Sequence, residues 1–287
     1  MRSLRLFLEM IKFEHTVFAL PFAYLGMLLA AEGWPTWYQF FWITVAMVSA
    51  RTFAMSLNRL VDLPYDARNP RTAGRPLVTG ALRPAVAWIA VFVSLSVFVL
   101  SAWMLGPLPF RLLPLALVFL AGYHYTKRFT WLSHFILGFT DGLAPMGAWV
   151  AVRNSLFTQE DLPAWLLLVI VTLWIAGFDL IYACQDVEVD RRDGLYSIPA
   201  QFGVAAALRL SSLCHVGMVL GLVALGFICA LGWPYWVGLV LCSLLLVYEH
   251  SIVKPDDLSR VNVAFFNVNG YISLALFFST LITLLWR

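Results

Sequence analysis

Residues 163–193 read PAWLLLVIVTLWIAGFDLIYACQDVEVDRRD. The first 23 of them, as far as Gln185, hold one charged residue, Asp179. A bilayer core is crossed by roughly 20 mostly apolar residues in a helix. The stretch therefore reads as a transmembrane helix that ends in spaced aspartates. The same scale predicts nine spans, at 15–32, 37–58, 84–105, 108–125, 132–152, 163–185, 206–231, 234–252 and 262–286. Spans four and five carry Pro109, Pro114 and Pro145, which a membrane helix tolerates where neighbours or water satisfy the freed backbone groups. Composition agrees: 12% of the residues are charged and 61% hydrophobic, whereas a soluble domain carries roughly 25% charged residues. Too few polar groups remain to cover a water-facing surface. The expected fold is an all-α integral membrane protein, a single transmembrane domain over residues 1–287 with about nine helices.

Basic residues set the orientation. With the N-terminus inside, the inner loops are 59–83, 126–131, 186–205 and 253–261. Counting helix ends with their loops, 16 of the 19 Lys and Arg residues lie inside, leaving Arg111, Arg153 and Arg287 outside. That bias predicts N-inside, C-outside topology in the cytoplasmic membrane. The basic residues before the first span, Arg2, Arg5 and Lys12, are followed by no small-residue cleavage pattern, so the span reads as a membrane helix and not as a removed signal peptide.

Two of the inner loops open on acidic clusters. The first is Asn58-x-x-x-Asp62-x-x-x-Asp66. Side chains four apart on a helix are neighbours, with β-carbons roughly 5–6 Å apart. Pro64 falls inside the motif and predicts a bend or an end there. The second cluster is Asp179, Tyr182, Asp186 and Asp190, with Asp179 seven residues before Asp186, two helical turns away and on the same face. Crowded carboxylates near a membrane repel one another and resist desolvation. Lys or Arg partners would relieve that, and so would a hard divalent ion. Mg²⁺ commonly bridges one or two carboxylates to substrate phosphates. Two clusters facing each other would hold Mg²⁺ across one diphosphate and stabilise the charge on it as it leaves. Arg68, Arg71, Arg75, Lys127, Arg128, Arg191 and Arg192 surround the clusters; ordinary inside-positive loop charge accounts at least as well for most of them, and Arg75 and Lys127 are the foremost candidate phosphate partners, with Arg71 and Arg128 beside them.

These motifs resemble the UbiA superfamily of intramembrane prenyltransferases, over about residues 12–280. NxxxDxxxD matches Asn58, Asp62 and Asp66, and RTAGRPLVTG, Arg71 to Gly80, resembles the continuation found in enzymes with aromatic acceptors. YxxxK followed by Arg matches Tyr123, Lys127 and Arg128. The second signature matches Asp179, Tyr182, Asp186, Asp190, Gly194 and Ser197, with Glu188 and Val189 departing from its commonest form. NVAFFNVNGY, residues 262–271, resembles the opening of the family's last helix. The resemblance implies nine helices around a central cavity, Mg²⁺ bound through Asn58, Asp62, Asp66, Asp186 and Asp190, and a lateral opening for a long isoprenoid. It implies transfer of a polyprenyl group from its diphosphate to an aromatic acceptor. Tyr123 and Tyr182 would offer ring faces to a carbocation, and an aspartate of the second cluster would take the ring proton.

Arg51 lies two helical turns before Asn58, deeper in the membrane, where a charge is a functional hypothesis by default. The resemblance implies that it orients an acceptor carboxylate. 4-Hydroxybenzoate, leading to ubiquinone, is the expected acceptor. Stretches such as FALPFA, NPRTAGR and QDVEVDRRDGLYSIP also resemble a subgroup partly associated with menaquinone, whose acceptor would be 1,4-dihydroxy-6-naphthoate. The competing class is a secondary transporter, but transporters tend to carry their acids near the bilayer midplane between inverted repeats. Here the acids sit at inner helix ends and no inverted repeat is visible. The expected partners are the two substrates and the lipid bilayer; nothing points to nucleic acid. The four cysteines form no metal-ligand spacing. The five histidines are scattered and uninformative, with interhelical bonding the reading for His215. Asp141 either faces the cavity or bonds to backbone near Pro145.

Overall fold

The computed structural model describes the backbone of residues 2–286 and all their side chains except those of residues 2, 3 and 13–19. Arg287 and the side chains of Arg2 and His15, named above, lie outside the described residues. The helices are α1 (Arg2–Met10), α2 (Phe13–Ala31), α3 (Trp37–Val61), α4 (Leu63–Asp66), α5 (Pro84–Leu105), α6 (Pro107–Thr126) and α7 (Ser133–Arg153). There follow α8 (Leu162–Ala183), α9 (Val187–Arg192), α10 (Ile198–Phe202), α11 (Val204–Ile228), α12 (Trp233–Ile252) and α13 (Asn269–Leu285). Among the described residues eight helical stretches are long and apolar enough to cross a membrane. The apolar part of α2 among the described residues, Leu20–Ala31, is shorter than these, so eight of the nine spans read from the sequence are matched and the first is a shorter apolar helix.

Helix starts follow local chemistry. Thr36 caps α3 in a reciprocal box with Gln39, satisfying amide groups that the first turn leaves free. α5, α6, α8 and α12 each begin with a proline in the first two positions, where the missing N–H has no helical partner to lose. α6 and α7 run on through Pro114 and Pro145. α3 stops at Val61 and α4 starts afresh with Pro64 in its first turn, which is the bend expected inside the first aspartate motif.

The outer surface is apolar. Phe92, Trp103, Val118, Leu220, Val247 and Leu285 are all exposed, an arrangement costly in water and natural in lipid. Inside, the helices approach closely at particular glycines. A β-carbon at Gly138 would collide with the Thr172 carbonyl, joining α7 to α8, and one at Gly26 would collide with the Pro145 backbone, joining α2 to α7. Such contacts drive helix association where lipid removes the hydrophobic term. The last span opens with one π-helical stretch, Val263–Val268, before α13.

Candidate active site

The ends of α3 and α8 meet at one end of the bundle, and the loop after α4 ties them together. Arg71, in that loop, forks onto Asp186, with Nε 3.0 Å from Oδ1 and Nη2 2.6 Å from Oδ2. Asn69 donates to Asp186 Oδ1 at 2.9 Å. The third Arg71 nitrogen donates to the Tyr182 hydroxyl at 2.7 Å, with the guanidinium 4.9 Å from the Tyr182 ring centroid. A residue that follows the first cluster thus grips two residues of the second, and the clusters face each other.

Every carboxylate of the two motifs has a partner within the protein. Arg75 Nη1 lies 2.5 Å from Asp66 Oδ2. Lys127 Nζ lies 2.7 Å from Asp190 Oδ1, and the Ser197 hydroxyl donates to Asp190 Oδ2 at 2.7 Å. Asn58 donates to Asp62 Oδ2 at 2.7 Å, and Arg128 stands 3.6 Å from Asp62 Oδ1. Among Asp62, Asp66, Asp186 and Asp190, Asp62 stands farthest from its cation. Burial first, then the neighbouring Asp66 charge, pushes its carboxyl up to about 6. Charge compensation by Lys and Arg, one of the two possibilities open from the sequence, is therefore in place. Arg68 and Arg192 turn to Asp193, and Arg191 donates to the Ala200 carbonyl; these three brace the loop.

Asp179 departs from the rest of its motif. Asp186 sits on a 3₁₀ turn, Cys184–Asp186, beyond the end of α8, so two regular helical turns do not connect the two residues. Asp179 instead meets His134, whose Nδ1 lies 2.6 Å from Asp179 Oδ2. Two chambers result. A polar one of about 280 Å³ is lined by both aspartate motifs with Arg71, Arg75, Lys127 and Arg128. An apolar one of about 350 Å³ lies deeper, walled by residues of α3, α5, α6, α7 and α8, with Arg51 and Asp141 on its surface. Tyr123, Leu137 and Asp179 line both.

Arg51 thus lies where its spacing put it, deeper than Asn58 and away from the carboxylate mouth. Its Nε is buried with no hydrogen-bond partner among the described residues, and the charge acting on it most is that of Asp141. Of the two readings for Asp141, the cavity-facing one is correct. Sequence reasoning missed His134 and His124, the latter 3.2 Å from Asn58 Nδ2. A single histidine in an apolar run has no spacing to mark it. His215 bonds His250 at 2.9 Å across α11 and α12, the interhelical bond expected of it.

The pattern of the UbiA prenyltransferase family matches residues 19–281. A 4-hydroxybenzoate octaprenyltransferase from Xanthomonas campestris pv. campestris is 34% identical over 251 residues, covering 87% of this chain and 81% of the relative. The apo structure of a UbiA homolog from Aeropyrum pernix superposes with a TM-score of 0.85 at 34% identity, covering 94% of this chain and 98% of the homolog. A UbiA homolog from Archaeoglobus fulgidus, solved bound to GPP and Mg²⁺, has a TM-score of 0.69 at 17% identity, covering 96% and 99%; that likeness is one of fold. Because the family match runs from α2 to α13 and takes in both aspartate motifs, this chain belongs to the UbiA prenyltransferase family and is a multi-pass membrane prenyltransferase.

Proposed function

We propose that the chain transfers a polyprenyl group from its diphosphate to a ring carbon of 4-hydroxybenzoate, in a Mg²⁺-dependent step of quinone biosynthesis at the cytoplasmic membrane. The observation that carries this reading is the pair of joined chambers. One is polar, rich in carboxylates and cations, and suits a diphosphate. The other is apolar with one buried guanidinium, and suits an isoprenoid chain and an aromatic carboxylate. The activity of the Xanthomonas relative and the GPP and Mg²⁺ held by the Archaeoglobus protein support it.

The donor set fits Mg²⁺. Its donors are hard oxygens; among the described residues no group of three His, Cys, Asp or Glu side chains is arranged to hold a metal on its own, and Mg²⁺ is commonly held by one or two carboxylates with water and substrate phosphate. Asn58, Asp62 and Asp66 on one side, and Asp186 and Asp190 on the other, would hold Mg²⁺, which when bound would neutralise charge on the departing diphosphate. Arg71, Arg75, Lys127 and Arg128, now occupied by carboxylates, are the groups within reach of phosphate oxygens.

The allylic C–O bond breaks and its electron pair leaves with the diphosphate. A ring carbon beside the acceptor hydroxyl then bonds to the allylic carbon. The hydrogen on that ring carbon leaves as a proton, which restores aromaticity. Asp179, at the junction of the chambers, is the second-cluster carboxylate placed to take it. Tyr123 and Tyr182 line the polar chamber, where an aromatic ring stabilises a developing cation; the Arg71 guanidinium already lies over the Tyr182 ring. Arg51 pairs with the acceptor carboxylate.

The test is product formation in membranes supplied with geranyl diphosphate, Mg²⁺ and either 4-hydroxybenzoate or 1,4-dihydroxy-6-naphthoate. Asp186→Ala abolishes product and EDTA stops the wild type. Arg51→Ala raises KM for the carboxylate acceptor about 10- to 100-fold, the range for losing a charged hydrogen bond, and leaves KM for the diphosphate within about twofold. Undiminished turnover in Asp186→Ala sinks the metal and diphosphate assignment. Faster turnover of the naphthoate moves the acceptor to that compound.

A further inference from the structure

His134 is buried, and both of its ring nitrogens are engaged. The backbone N–H of Ile198 donates to Nε2 at 3.3 Å. Nε2 therefore carries no proton, and in a neutral imidazole the proton must sit on Nδ1. Nδ1 lies 2.6 Å from Asp179 Oδ2, so His134 donates to the carboxylate in a single tautomer fixed by the main chain. His134 thus presents Nδ1 to Asp179 and Nε2 to the main chain. It engages one Asp179 oxygen; among the described residues Oδ1 has no donor, and Asp179 lines the chamber junction.

The amide that fixes the ring belongs to a short segment with two other duties. The Tyr196 N–H donates to the Lys127 carbonyl at 2.7 Å. The Ser197 hydroxyl donates to Asp190 Oδ2 at 2.7 Å. Three consecutive residues therefore bond to the residue that pairs with Asp190, to Asp190 itself, and to the histidine that holds Asp179.

We propose that His134 is a positioning residue for the transfer: its Nδ1–H orients the Asp179 carboxylate toward the acceptor ring, and its bond to Ile198 registers that carboxylate to the diphosphate end through the Tyr196–Ile198 segment. This rests on the functional reading above, with Asp179 as proton acceptor. His134 lines the polar chamber with both ring nitrogens turned to Asp179 and the main chain, so it acts through Asp179. A misplacement of about 1 Å at a reacting group costs on the order of 100-fold in rate. His134→Leu removes both hydrogen bonds and lowers kcat by about 10- to 100-fold, while KM for the diphosphate stays within about twofold. His134→Gln restores a donor and an acceptor and returns kcat to within about threefold of wild type.

The second measurement needs no turnover. In ¹⁵N-histidine-labelled protein in detergent, the resonances lost in His134→Gln belong to His134. They show the Nδ1–H tautomer, and they shift in Asp179→Asn, which folds around the same site. An Nε2–H tautomer, or resonances indifferent to Asp179→Asn, overturns the proposal. So does full kcat in His134→Leu, or an equal fall in His134→Gln. If the wild type transfers no prenyl group to either acceptor, the functional reading fails, and the tautomer experiment still decides whether His134 holds Asp179.

Discussion

Asp62 is half-buried at the end of α3 beside Asp66, and its carboxyl is pushed up to about 6 by desolvation and then by that neighbouring charge. The folded protein holds this proton more tightly than the unfolded chain does. The group's favourable contribution is therefore greatest below the ordinary value of 3.8 and is lost as pH rises through 6. Asp62→Asn removes the charge, so it stabilises the metal-free protein by about 1–3 kcal/mol at pH 7.5 and makes almost no difference at pH 4. Thermal unfolding in detergent with EDTA reads this out as a gap in Tm that opens between pH 4 and pH 7; a mutant no more stable than wild type at pH 7.5 sinks it. Under the proposed reading the same mutant is inactive, so the strain at Asp62 serves metal binding. Asp62, Asp66, Asp186 and Asp190 were legible in the sequence because their four-residue spacing is itself a signal. His134 and Asp141 were not. The bond from His134 to Asp179 joins residues 45 apart, and the one to Ile198 joins residues 64 apart. No local pattern records such a meeting, and a lone acid before Pro145 fits a backbone bond as well as a cavity wall.

Helices were legible from length and apolarity, and their interruptions less so. The sequence predicts one continuous last span, and the chain instead winds into a π-helical stretch at Val263–Val268, which leaves helix carbonyls in need of donors. Asn269 supplies them: its Nδ2 lies 3.1 Å from the Ala264 carbonyl and 3.2 Å from that of Phe265. Its Oδ1 accepts from the Trp174 indole at 2.8 Å, which ties this turn to α8. The signal for Asn269 lay in its motif, but the reason for it lay in a backbone irregularity that hydropathy does not see. Asn269→Leu strands the Trp174 N–H and leaves the buried Glu249 carboxyl without its donor. Each stranded group costs about 1–3 kcal/mol, so the mutant loses at least ~2 kcal/mol of stability, read as a fall in Tm in detergent. An unchanged Tm means that water or a rotated side chain replaces the amide, and Asn269 then has another purpose.

Across the whole molecule, charge and chemistry point the same way. The mouth lined by the aspartate motifs lies at the end of the bundle where α3 and α8 finish and α7 begins, and 16 of the 19 basic residues fall on that side in the topology read from the sequence. A diphosphate is made in water and cannot cross the bilayer core, so the mouth must open on the compartment that supplies it. We propose from the positive-inside bias that this compartment is the cytoplasm. Two exposed positions test the orientation. Thr79 lies in the loop before α5, on the mouth side, and Gln159 lies in the turn between α7 and α8, at the opposite end. Of the native cysteines, Cys184, Cys214 and Cys242 are buried and Cys229 is half-buried, so the unmodified chain serves as the background. A membrane-impermeant maleimide labels Gln159→Cys in right-side-out vesicles and Thr79→Cys only in inverted ones. The reverse pattern would put the mouth outside, and the basic residues there would then have to be explained by phosphate binding alone, because the rule that orients membrane helices would have been overridden.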